Sequence, residues 1–265
     1  MVSKMEDVLT KRADGVLFLE LNRPEKLNAM TSGMYLELAD IFNDAAKDDD
    51  IRVVLWHGAG TAFSAGNDMA DFLANPPAAT DSPQSRLMNA LVDFDKPIVA
   101  AVRGPAIGGG TTMLLHCDFV YASETTKFQL PFINLAVLPE FGSTSLLPLA
   151  IGHLRATELV LLGTPFDAKH AAQLGLVTQV VPDDTLLDVA TATARKLATK
   201  PAGALQASKR LLKAPFRVQI KAAMKAENEA FSVAVRSDEA KEALTAFMER
   251  RPPDFSKISK PAASA

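Results

Sequence analysis

Up to about residue 180, short strand-like apolar runs alternate with helix-like stretches, the arrangement of an α/β fold. Val8-Leu9-Thr10 and Val16 to Leu21 flank Asp14-Gly15, a dipeptide that predicts a hairpin turn. Thr31 or Ser32 supplies a side-chain cap for a helix running to about Ala46. Further strands are predicted at Ile51–Trp56, Pro97–Val102, Phe119–Ala122 and Leu176–Val181. The segment Asn75–Pro83 holds three prolines, cannot continue a helix, and reads as a mobile loop suited to a lid. From Asp183 onward the pattern turns helical: 184–199, 203–213, 216–235 and 237–249, with Pro201 and Pro215 as punctuation. From Pro252 the chain reads as a frayed tail. No period of 20–50 residues repeats.

Two glycine-rich turns carry the candidate chemistry. Gly104-Pro105-Ala106-Ile107-Gly108-Gly109-Gly110 follows the 97–102 strand and opens a helical run ending near Leu115. Glycines there let a ligand approach the backbone, and free N–H groups at a helix start favour a negative atom. A phosphate, or a carbonyl oxygen gaining charge during reaction, suits such a place. Phe63-Ser64-Ala65-Gly66-Asn67-Asp68 forms a second small-residue turn after the Trp56 strand. The first turn is not a P-loop, since no Gly-Lys-Ser/Thr follows, and it does not fit the dinucleotide pattern G-x-G-x-x-G.

Composition narrows the partners more than the fold. A net charge of −3 and a pI near 5.8 argue against nucleic acid or an acidic membrane surface. One cysteine, Cys117, excludes an internal disulfide. No apolar run reaches membrane-spanning length and no signal-peptide core is read at the start, so a cytoplasmic location is expected. His57, His116, His153 and His170 are scattered without metal-ligand spacing, and no metal is expected. The Cys117 thiol beside His116 is not a nucleophile pair, because adjacent residues on a helix point apart.

Together, "FSAGND", "RGPAIGGG…CDFVYA", the opening "LNRPEKLNAM" and the later "LGLVTQVVP" resemble the crotonase (enoyl-CoA hydratase/isomerase) superfamily, over about Val8 to Phe255. The resemblance implies a fold of stacked ββα turns at residues 1–198 and a C-terminal helical oligomerisation region with a tail at 199–265. It also implies an enoyl-CoA thioester substrate, no cofactor besides the CoA carried by the substrate, and assembly as a homotrimer or a dimer of trimers.

The same resemblance gives residues roles. The backbone N–H groups of Asn67 and Gly109 form the oxyanion hole, leaving the Asn67 side chain free to vary. Arg23, Lys26, Ala65 and Asp68 match positions around CoA. Thr112 and Phe132 occupy, in the acyl pocket, the places where hydratases carry two glutamates. Hydration needs one group to activate water and another to handle the α-proton. Neither Thr112 nor Phe132 can titrate. Glu140, in Leu138-Pro139-Glu140, instead matches the single carboxylate of Δ3,Δ2-enoyl-CoA isomerases of the peroxisomal and bacterial type. Its apolar neighbours Leu138, Phe141 and Phe132 would raise its pKa by desolvation. The expected activity is transfer of a proton from C2 to C4, with hydration, another crotonase-type reaction or simple acyl-CoA binding as the alternatives.

Overall fold

The Asp14–Gly15 turn takes positive φ at both residues, 54° and 74°, the conformation of a two-residue hairpin turn. In the computed structural model, which describes residues 6–258, this turn joins β1 (Val8–Ala13) to β2 (Val16–Leu21). Next come α1 (Ser32–Lys47), whose Thr31 cap accepts from the Met34 N–H, then β3 (Val53–Gly58), α2 (Met69–Ala74) and α3 (Pro83–Asp93). The chain continues through β4 (Ile98–Val102), β5 (Pro105–Ile107), α4 (Gly109–Thr112), β6 (Phe119–Ser123) and β7 (Lys127–Gln129). There follow α5 (Ser143–Ile151), α6 (His153–Leu162), β8 (Phe166–Asp167), α7 (Ala168–Leu174) and β9 (Gln179–Val181). Three helices close the sequence: α8 (Leu186–Ala198), α9 (Ala202–Ala234) and α10 (Asp238–Glu249).

The main sheet has the order β1-β2-β3-β4-β6-β9, with β1 and β2 antiparallel and every later pair parallel. Parallel strands covered on both faces read as unbroken apolar runs, and all five residues of β4 are buried. Successive residues point to opposite faces. Val54, Trp56, Ala100 and Val102 join the larger core with α1 and α3. Val53, Leu55, Val99 and Ala101 face the small residues Ala190, Ala194 and Ala198 of α8. A second sheet, β5-β7-β8, carries the glycine turn away from the first.

Four sequence expectations are corrected. The 203–213 and 216–235 helices are one helix, α9, which passes through Pro215. A proline removes one helical hydrogen bond, and the turns before and after it are anchored separately: Lys213 Nζ reaches the Leu91 and Phe94 carbonyls, while Ile220 and Met224 enter the core. The run 176–181 forms a strand only at Gln179–Val181: Leu176 N is spent on the Ala171 carbonyl in the turn after α7, and pairing with β6 begins at Thr178 N, which donates to the Val120 carbonyl. The helix after the glycines gives way at Met113 to a 3₁₀ turn ending at His116. The tail from Pro252 is docked through its described part. The Asp254 N–H donates to Glu242 Oε1 at 2.8 Å, and a 3₁₀ turn spans Phe255–Lys257; the rest of that tail lies outside the described residues.

Candidate active site

Small residues bring the two glycine turns together. Ser64 exchanges hydrogen bonds with the start of β5, donating to the Pro105 carbonyl and accepting from the Ile107 N–H at 3.0 and 2.9 Å. The approach leaves no room for side chains: a Cβ on Gly110 would lie 2.7 Å from the Ser64 carbonyl oxygen. One on Gly66 would lie 2.7 Å from the Ile107 carbonyl oxygen and 3.8 Å from the Gly109 nitrogen. Among the described residues, neither the Asn67 nor the Gly109 N–H is spent on a protein acceptor. Both line a cavity of about 330 Å³ with Phe132, Leu135, Leu244 and Phe247. Two free donors at the mouth of a largely apolar cavity can hold an oxygen that becomes negative.

Glu140 lies against this pair. A Cβ on Gly109 would be 2.9 Å from Glu140 Oε1 and 3.1 Å from the Tyr35 hydroxyl. Glu140 is 4% exposed, and its Oε1 has no hydrogen-bond partner among the described residues. It is therefore not a solvated residue at a helix start. Burial first, and the nearby charge of Glu227 second, push its pKa up to about 8. A carboxyl in that range can both accept and return a proton near neutral pH.

The turn carrying Glu140 is held from the far end of the chain. Glu227, buried on α9, accepts from the Gly142 N–H at 2.7 Å, the Thr144 N–H at 2.8 Å and the Thr144 hydroxyl at 2.6 Å. Burial raises the Glu227 pKa, and these hydrogen bonds pull it back down. Gly142 adopts φ 70°, and a Cβ there would press Ile220 of the same helix at 3.0 Å. His116 Nε2 lies 2.8 Å from the Phe141 carbonyl, and burial lowers its pKa to about 4. The neutral ring can donate there. Neither Glu227 nor Tyr35 carries a local motif; Glu227 is 85 residues from the turn it holds.

The Asn67 side chain has a partner of its own. Its Oδ1 accepts from the Tyr35 hydroxyl at 2.7 Å, so the side chain is tied rather than free. Burial, and then Glu140, raise the Tyr35 pKa, which keeps the hydroxyl a donor. Of the residues matched to CoA, Ala65 lines the cavity. Arg23 and Asp68 pair with each other at 3.1 Å; Arg23 also donates to the Ala29 carbonyl, and Asp68 caps α2. Lys26 is exposed. Phe132 lines the cavity as expected, whereas Thr112 is fully buried off it, its hydroxyl turned to the Gly108 and Gly109 carbonyls at 3.4 Å. Burial pushes the Cys117 thiol up, away from nucleophilic use. Among the described residues no group of three His, Cys, Asp or Glu is arranged to hold a metal, and no helix is long and apolar enough to cross a membrane.

Known proteins resemble the chain over nearly all of its length. The family model for enoyl-CoA hydratase/isomerase matches residues 11–258. The chain is 36% identical to the 1,2-epoxyphenylacetyl-CoA isomerase of Escherichia coli, over 95% of this chain and 98% of that protein. It is 32% identical to human enoyl-CoA delta isomerase 2, over 93% of this chain and 64% of that protein. Other relatives of similar identity carry hydratase names. The crystal structure of an enoyl-CoA hydratase/isomerase from Pseudoalteromonas atlantica superposes with a TM-score of 0.90 at 40% identity, covering 94% of this chain and all of that one.

Proposed function

Since the chain belongs to the enoyl-CoA hydratase/isomerase family, we propose that it is a Δ3,Δ2-enoyl-CoA isomerase. The observation that carries this reading is the placement of Glu140, a buried carboxyl of raised pKa beside Gly109; the resemblance adds that Thr112 and Phe132 stand at the positions of the two hydratase glutamates. The thioester oxygen accepts from the Asn67 and Gly109 N–H groups. The Glu140 carboxylate takes a proton from C2, and the electron pair moves onto the thioester as an enolate held by those donors. Glu140 then returns the proton at C4, and the double bond comes to rest between C2 and C3. One carboxyl serves both steps, so no activated water is needed. The substrate is an enoyl-CoA thioester, a choice supported by the name of the human relative, whereas that of the Escherichia coli relative supports only isomerisation of an acyl-CoA.

The test is product analysis with matched thioesters. Trans-3-enoyl-CoA is expected to give trans-2-enoyl-CoA much faster than trans-2-enoyl-CoA gives the 3-hydroxy product. Hydration as fast as isomerisation would overturn the reading in favour of the hydratase activity that other relatives are named for.

A further inference from the structure

Beyond the oxyanion turns lies a second, smaller cavity, and Glu140 faces it. Asn67, Phe72 and Phe231 line both cavities, and the two rings meet edge to face with centroids 6.0 Å apart. If C2 and C4 are to reach Glu140, the far end of a short acyl chain reaches this second space. Its volume is about 10 Å³, near that of a single water, so it takes only the terminal atom of that chain.

The lining is not what a plain hydrocarbon needs. Gln84, in the first turn of α3, is 5% exposed, and its Oε1 has no partner among the described residues. Capping does not require it: Ser82 Oγ accepts from the Ser85 N–H at 3.1 Å. Asn228, half-buried on α9, adds a second amide to the same wall. An alkyl chain would leave the Gln84 oxygen dry and unpaired, which is unfavourable. Among the described residues no Lys, Arg or His lines the cavity, so a carboxylate on the acyl chain would meet no cation there and would face Glu140. An acceptor without charge compensation calls for a neutral donor.

We propose that this cavity selects a short acyl chain carrying a hydroxyl beyond C4, and that Gln84 is the residue that reads it. The inference rests on the isomerase reading for which carbons face Glu140. A hydroxyl donates to Gln84 Oε1 and accepts from an amide N–H, whereas a methyl of the same size does neither.

Two measurements test it. In the first, kcat/KM for isomerisation is compared between 6-hydroxyhex-3-enoyl-CoA and hept-3-enoyl-CoA, which have the same number of heavy acyl atoms, and with the mono-CoA thioester of hex-3-enedioic acid. The hydroxyl substrate is expected to lead the alkyl one by roughly tenfold, the scale of one buried hydrogen bond, with the carboxylate last. In Gln84→Met, which keeps length and removes the amide, the hydroxyl-to-alkyl ratio should collapse toward one. An alkyl substrate that matches or beats the hydroxyl one in the wild type, or a ratio that survives Gln84→Met, overturns the proposal. The second measurement needs no turnover: calorimetric binding of the saturated 6-hydroxyhexanoyl-CoA and heptanoyl-CoA to the wild-type protein. The same preference is expected, and equal affinities overturn the proposal even if Gln84→Met fails to fold. A hydroxyl preference in binding with no isomerisation of any 3-enoyl-CoA would retire the isomerase reading and leave the pocket assignment standing.

Discussion

Glu140 keeps its proton in the folded chain up to about pH 8, whereas the unfolded chain releases it near its ordinary value of 4.5. A carboxyl of raised pKa therefore favours the fold fully below pH 4.5, and that stability is lost as pH rises through about 8. Glu140→Gln removes the cost of ionisation while keeping the volume. At pH 8.5 the variant is expected to melt above the wild type, by an amount on the order of a few kcal/mol, and the gap should close below pH 4.5. Its isomerase kcat should fall by roughly 10²–10⁴-fold. A variant with near wild-type turnover would remove Glu140 from the chemistry. For the wild type, kcat/KM should climb with pH and level off above about 8, because the base must be ionised to take the C2 proton. Glu227→Gln deletes the negative charge beside Glu140, so the midpoint of that climb should move to lower pH. A clamp with no electrostatic part would lower kcat and leave the midpoint alone, which makes the pH profile the deciding measurement. Asn67→Ala keeps the backbone donor and strands the buried Tyr35 hydroxyl. Thermal melts should show a loss of ~1–3 kcal/mol, largely recovered when Tyr35→Phe is added. A thousandfold loss of activity in folded Asn67→Ala would instead put its amide in the reaction.

Elements were legible where local chemistry dictates them. Asp14-Gly15 demands two positive φ values, Thr31 caps α1, and the buried parallel strands leave unbroken apolar runs such as 98–102. The two glycine turns are legible for the same reason, since their backbones meet where no Cβ fits. Tertiary contacts decide the rest. Glu227 and Tyr35 act on Glu140 and Asn67 from distant helices, and Thr112 turns its hydroxyl to its own helix, which no local pattern announces. Pro215 is the plainest case. Read locally it ends a helix, yet α9 passes through it, exposed on the surface, because the turns on either side are anchored to α3 and the core. A helix-interior proline costs up to ~3 kcal/mol relative to alanine. Pro215→Ala should therefore raise the melting temperature, corresponding to ~1–3 kcal/mol. An unchanged or lower melt would mean that the helix has adapted its geometry to the ring.

At the scale of the molecule, the apolar surface left uncovered is concentrated on helices that the main sheet does not need. Leu211, Leu212 and Val218 on α9 are 74%, 76% and 81% exposed, and Leu154 on α6 is 82% exposed. Scattered exposed leucines are ordinary, but a run along one helix marks an interaction surface. Together with the expected trimerisation region at 199–265, this gives a definite expectation: the wild type sediments as a trimer or a multiple of it. Leu211→Glu with Leu212→Glu should shift it to monomer with the helical content retained, because neither side chain enters the core. Wild-type protein that sediments as a monomer at micromolar concentration would refute the assembly. The fold also implies that assembly and chemistry are linked. The helix offering those leucines is the one whose Glu227 holds the Gly142–Thr144 backbone next to Glu140. Freeing one side of α9 from its neighbours should loosen that grip, so the monomeric variant should lose kcat while its affinity for a saturated acyl-CoA changes little. If kcat survives monomerisation intact, the contacts of α9 within one chain suffice to hold the carboxyl in place.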